Sequence, residues 1–315
     1  MVGARCRLGR MKLRHAVLVL GATVLLVSAA GAAGGAEPAR IVFVSKLPMV
    51  PVPPNLNVPH LYSVGADGRG RRDLGAASTW IELSPDRATV AVIRDGDIWV
   101  LNADGSGQRR LLAPPPGQPF SSFRWSPDGR KLAALSSDEV WLTNLDGSGQ
   151  RQLVTAAPGA SWENDLSWSP DGRKLAIGSI SGTRAGPTCQ KYCVQWLVDI
   201  VGVGGNRIRS IPDARHPAWS PDGKRIALEQ AAFAQQEDSR VVVRRADGSA
   251  PRTISDRCVQ CSGCWSYPTW SPDGKRISFI SDECDEVFTV GEVVIVRSTG
   301  PTRARVIPAV YNPSW

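Results

Sequence analysis

The sequence predicts an all-β fold, a six-bladed β-propeller placed behind an N-terminal leader. Three observations carry that prediction. One five-residue phrase returns at intervals of a blade's length, each return is followed by the same order of short apolar runs, and turn-forming residues are in excess. Glycine and proline make up about 17% of the 315 residues against a typical ~12%, too little for low complexity and suited to many tight turns. Hydrophobic residues at 42% and charged residues at 21% mark a folded chain.

The leader comes first. Residues 1–36 hold five basic side chains (Arg5, Arg7, Arg10, Lys12, Arg14) and no acid. An apolar run over 16–30 and small residues over 31–36 follow, which is the pattern of a secretory signal peptide. An uncleaved anchor is the alternative, since the run falls only slightly short of the about 17–25 residues that span a bilayer. The expected division is therefore 1–36 signal peptide and 37–315 propeller, with the propeller extracytoplasmic: periplasmic, in the cell envelope or secreted. Membrane contact is expected only through the leader, if it is uncleaved. Without these residues the formal charge falls from +8 to +3, from 32 basic and 29 acidic side chains. That is an ordinary solubility charge, and no nucleic-acid partner is expected.

The repeated phrase opens as Leu83-Ser84-Pro85-Asp86-Arg87 and Trp125-Ser126-Pro127-Asp128-Gly129. It returns as Trp168-Ser169-Pro170-Asp171-Gly172, Trp219-Ser220-Pro221-Asp222-Gly223 and Trp270-Ser271-Pro272-Asp273-Gly274. The spacings are 42, 43, 51 and 51 residues, the range of propeller blades. Within the phrase, Pro presets one turn residue, Asp bonds the following backbone and Gly takes positive φ. Three strand-like runs follow each copy, the last two joined by Asp-Gly, as at Asp104-Gly105, Asp146-Gly147 and Asp247-Gly248. Four short antiparallel strands per repeat result. The repeated Trp and Asp are structural, because a residue needed once per blade answers the blade's geometry.

The (Trp)-Ser-Pro-Asp-Gly…Asp-Gly repeat resembles the WD-like repeat of the TolB propeller family and covers nearly all of residues 40–315. The resemblance implies a six-bladed propeller. TolB has an α/β domain before its propeller, whereas here the first strand-like run, 41–44, starts directly after the leader. Oligopeptidase propellers carry similar repeats beside a hydrolase domain, and this chain has no Gly-x-Ser-x-Gly. The first repeat lacks its opening strand: 41–44, 60–64 and 71–74 read as strands two, three and four. Residues 311–315 supply the missing strand, since Asn312-Pro313-Ser314-Trp315 matches the lead-ins to Trp219 and Trp270. Closure of this kind removes free sheet edges.

Alternating strand direction puts the long, irregular loops on one face, the candidate binding face. The candidate residues there are His60, Glu163, Asp165, His216, Trp265 and Asp282. Both histidines stand beside proline (Pro59, Pro217) and read as solvated loop residues, and the acids read as a solvated rim. Cys189, Cys193, Cys258, Cys261, Cys264 and Cys284 lie in or beside three of these loops and read as disulfides in an exported chain. A Cys189–Cys193 bridge and a bond from Cys284 to Cys264 or Cys258 are the expected pairings. No cofactor, metal or catalytic residue is expected. The function expected is a non-enzymatic module for a protein or peptide partner. The alternative is a carboxylate- or calcium-dependent hydrolase or lyase with its site at the central pore.

Overall fold

The computed structural model describes residues 40–45, 60–65, 69–76, 80–181, 195–230, 240–255, 267–283 and 290–308. Every helix or strand among them is a β-strand, and the strands form six antiparallel sheets in chain order. The first sheet has three strands, β1 (Arg40–Ser45), β2 (His60–Gly65) and β3 (Arg72–Ala76). The second holds β4 (Ile81–Leu83), β5 (Thr89–Arg94), β6 (Asp97–Asn102) and β7 (Arg109–Leu112). The third holds β8 (Ser122–Trp125), β9 (Lys131–Leu135), β10 (Glu139–Asn144) and β11 (Arg151–Thr155). The fourth holds β12 (Ala160–Trp168), β13 (Lys174–Ser181), β14 (Gln195–Gly202) and β15 (Arg207–Pro212). The fifth holds β16 (Ala214–Trp219), β17 (Arg225–Gln230), β18 (Arg240–Arg245) and β19 (Arg252–Thr253). The sixth holds β20 (Thr269–Trp270), β21 (Arg276–Glu283), β22 (Val290–Arg297) and β23 (Gly300–Pro308).

Each described apolar cluster lies between two consecutive sheets. Leu132 and Ala134 of β9 pack with Ile98 and Val100 of the second sheet. Their neighbours Ala133 and Leu135 pack with Trp162 and Ile177 of the fourth. In β17 the same division sends Ile226 and Leu228 one way and Ala227 the other. A middle strand buried on both faces needs an unbroken apolar run, which is why these runs do not alternate.

The recurring phrase folds alike in every copy. The Ser hydroxyl donates to the Asp carboxylate two residues on, at 2.5 Å from Ser84 and Ser220 and 2.6 Å from Ser126, Ser169 and Ser271. The same hydroxyl oxygen accepts the backbone N–H five residues later at 2.9 Å in each of the five. That serine bond, with the backbone N–H two residues past each Asp, holds all five carboxyls below the ordinary aspartate value. Gly129 and Gly223 then take φ of 68°, and the first copy forces Arg87 to 61°. A side chain in that region costs about 1 kcal/mol. Arg87→Gly should therefore raise the unfolding free energy by up to roughly 0.5 kcal/mol, the rest of the relief being offset by the freer unfolded chain. Urea unfolding of the two proteins decides it, and a less stable variant contradicts the strain.

Three of the four phrase tryptophans join the sheets through their indoles, while Trp219 Nε1 is buried with no hydrogen-bond partner among the described residues. Trp125 Nε1 donates to the Glu82 carbonyl (3.3 Å), Trp168 Nε1 to that of Arg124 (3.1 Å) and Trp270 Nε1 to that of Ala218 (3.0 Å). Each indole reaches the residue just before the matching position of the preceding repeat. At the outer strands, Arg109, Arg151 and Arg209 donate to the carbonyls of Leu145, Val203 and Asp247 in the next sheet.

Candidate axial site

The opening strands β4, β8, β12, β16 and β20 contact one another in sequence, so they form the inner wall. Two of them are irregular at matching places. In β12 the pairing with β13 shifts between Trp162 and Leu166, and in β16 the pairing with β17 shifts between Arg215 and Ala218. Glu163 and Asp165 lie in the first irregularity and His216 in the second. A bulge of this kind turns side chains away from the regular alternation. His216 itself holds φ of 51°, a left-handed conformation that a non-glycine residue keeps only where its surroundings impose it.

These irregularities gather one charged cluster. Arg215 lies directly across from Glu229 of β17 and donates from Nη2 to Glu229 Oε1 at 2.6 Å. His216 Nδ1 meets the other oxygen, Oε2, at 2.9 Å. Glu229 is 0% exposed, and His216 4%. The Arg215 guanidinium also lies over the Trp196 ring (4.7 Å), and the His216 ring packs 4.1 Å from that of Tyr267. Glu163 fits against β13 because position 178 is glycine: a Cβ there would stand 3.1 Å from Glu163 Oε2.

Beside this cluster sits a half-exposed group. Arg124 of β8 stacks its guanidinium over Trp80 (4.8 Å), and its Nε lies 3.9 Å from Glu82 Oε1 of β4. The Arg124 charge also acts on Asp165 and so couples the two groups.

Burial sets the electrostatics, and neighbours reverse it for one pair. Burial disfavours the Glu229 carboxylate, but the His216 hydrogen bond and the Arg215 charge outweigh it and hold Glu229 down to about 2. Burial likewise opposes the His216 charge, yet the bond to Glu229 and the Asp165 carboxylate carry His216 above the ordinary histidine value. Glu163 and Asp165 also feel the His216 charge, but burial outweighs it and pushes both carboxyls up. Burial, with both acids adding to it, raises Tyr267 to about 12.

The pH dependence of stability follows by sign. His216 contributes fully below 6.5, its ordinary value, and its contribution is lost as pH rises through its higher folded value. Glu229 contributes fully above 4.5 and is lost as pH falls toward about 2, with the turn aspartates acting in the same sense. Glu163 and Asp165, both raised, favour the folded chain as they protonate. Melting temperature should therefore peak at mildly acidic pH, about 5 to 6. A maximum in the alkaline range contradicts the pairing.

Several expectations change here. His216 is a buried strand residue, not a solvated loop residue, because its ring is held by Glu229 and Tyr267. His60, in the strand read over 60–64, is half-buried in β2 and not solvated, with Nδ1 2.9 Å from Asp73 Oδ2 on the neighbouring β3. Glu163 and Asp165 are not a solvated rim, because the β12 bulge turns them inward. The fold brings Glu163, Asp165 and His216 together and leaves His60 apart in the first sheet. Asp282 lies in β21 opposite Gly291. Trp265, the six cysteines, residues 1–39 and residues 311–315 lie outside the described residues. Arg215, Glu229, Arg124 and Tyr267 were not singled out from sequence. One signal was available, a glutamate closing the buried run Ile226-Ala227-Leu228-Glu229.

No family model and no curated protein matches this chain. Solved structures do. TolB from Acinetobacter baumannii matches at TM-score 0.53 and 17% identity, over 86% of this chain and 63% of TolB, so the chain spans less than two thirds of that relative. Oligogalacturonate lyase from Vibrio parahaemolyticus matches at 0.56 and 15%, over 87% of this chain and 75% of the lyase. The β-propeller domain of the Trilobed protease from Pyrococcus furiosus matches at 0.57 and 15%, over 86% and 82%.

The chain has the β-propeller fold that TolB also has. Its sheets are blades, its opening strands line the axis, and the charged cluster of the propeller is an axial one. At these identities the likeness shows the fold alone.

Proposed function

We propose that this propeller is an exported, non-enzymatic module that binds a protein or peptide partner at its axis. One observation carries the reading. In the axial cluster Glu163 Oε2 and Asp165 Oδ2 are buried with no hydrogen-bond partner, beside the half-exposed Trp80 and Arg124. Buried acceptors without donors call for an explanation, and a bound group that supplies the donors is one. An aromatic–arginine surface is the composition that interface centres favour. The basic leader supports export. Six blades, closed by residues 311–315 against the free edge of β1, complete the reading.

A photo-crosslinking amino acid at position 80 or 124 of the full chain tests it. Ile208, 50% exposed on outer strand β15, is the control position. A discrete envelope protein should crosslink from the axis and not from Ile208, and adducts equal at both positions or absent from both reject the reading.

A second reading has its own observation: the buried His216–Glu229 pair against Tyr267 is acid–base equipment, and oligogalacturonate lyase and peptidases share the fold. It predicts turnover of an oligosaccharide or peptide that His216→Gln abolishes.

A further inference from the structure

Asp165 is only 9% exposed, yet Oδ2 has no hydrogen-bond partner. The carboxylate does take the His216 backbone N–H. Two residues earlier on the same bulged segment, Glu163 Oε2 is buried in the same condition. The third acid of the cluster differs, because Glu229 is gripped on both oxygens by Arg215 and His216. The side chains of those two cations bond Glu229, while Glu163 Oε2 and Asp165 Oδ2 are left without a donor, the under-compensated part of the cluster.

Resting on the binding-module reading, we infer that Glu163 and Asp165 are a receptor for an organic cation of the partner, an ammonium or guanidinium on a lysine, an arginine or a chain N-terminus. Two oxygens lacking donors call for a group with several N–H bonds and positive charge; ammonium offers three and guanidinium five. Lysine and arginine carry that charge on a narrow apolar stem, which suits passage beside an aromatic wall such as Tyr267. A metal ion fits less well: among the described residues no group of three or more His, Cys, Asp or Glu is arranged to hold one. Gly178 serves the same end, since any Cβ there would press on the Glu163 carboxylate.

The test uses the full chain and four probes. Acetyl-Gly-Lys-Gly-amide, acetyl-Gly-Arg-Gly-amide and Gly-Gly-Gly-amide each present one cation from a different source, and the acetyl-lysine form of the first presents none. In calorimetric titration at least one cationic probe should bind about tenfold or more tighter than the acetyl-lysine peptide. Asp165→Asn and Glu163→Gln should each weaken that probe by about tenfold or more with near-ultraviolet circular dichroism retained. Should a carboxylate variant fail to fold, Gly178→Ala, which displaces Glu163 without removing it, should give the same loss. Equal affinity for the acetyl-lysine peptide, or unchanged affinity in the folded variants, overturns the inference. If position 80 still crosslinks a partner while no cationic probe binds, the binding-module reading stands and this receptor does not. Probes that bind a chain lacking any axial crosslink give the converse.

Discussion

Glu229→Gln should lower the unfolding free energy by about 3–5 kcal/mol, the usual cost of removing one partner of a buried ion pair. The residue is fully enclosed and is held by Arg215 at 2.6 Å and His216 at 2.9 Å. The amide would leave the Arg215 charge buried without its counter-ion and set an N–H₂ donor against one of two donors already in place. Such a loss in a domain of this size corresponds to a fall of roughly 10 °C in melting temperature. A second readout separates charge from packing. With Glu229 neutral, the partner that holds His216 protonated is weakened, so the decline of stability above pH 6.5 should flatten. A variant within experimental error of the parent in both respects would refute the role given to the triad.

Deleting residues 311–315 should destabilise the whole domain by about 3 kcal/mol or more, the scale of losing one packed tryptophan. The argument runs from the other repeats. In each sheet from the second to the sixth the innermost strand precedes the Ser-Pro-Asp turn, whereas the first sheet has three strands and β1 at its inner edge. Trp125, Trp168 and Trp270 each close on the preceding sheet through the carbonyl one residue before its matching position. The same offset from Trp315 leads to Thr269, so Trp315→Ala should reproduce much of the deletion. Equal melting temperatures for parent and deletion would defeat the closure by this segment.

The sequence repeat revealed the blades because their chemistry is local. Ser126, Asp128 and Gly129 bond or bend within a few residues of one another, so a motif of five letters contains the whole cause. The role of each serine hydroxyl as both donor and acceptor was less legible, since its second partner lies five residues on. The axial cluster was not legible as a cluster. Glu163, His216 and Glu229 come from three strands in two sheets, and only the shifts in pairing at Glu163 and His216 turn them toward each other. The proline at 217 pointed to a loop for His216. In the fold it lies inside a bulge, where a missing N–H costs the ladder little.

The indole joints between blades have a consequence for how such a chain diversifies. Their donors and acceptors are separated by 43, 44 and 52 residues, yet the geometry is the same. The acceptor is a backbone carbonyl, which any amino acid supplies, and its place is measured from the preceding strand and not along the intervening loop. A blade can therefore lengthen its loops by eight residues without a compensating change in the joint next door. Loop length is thereby decoupled between neighbours, and a lineage can rewrite the mouth of the ring while these joints are inherited unaltered.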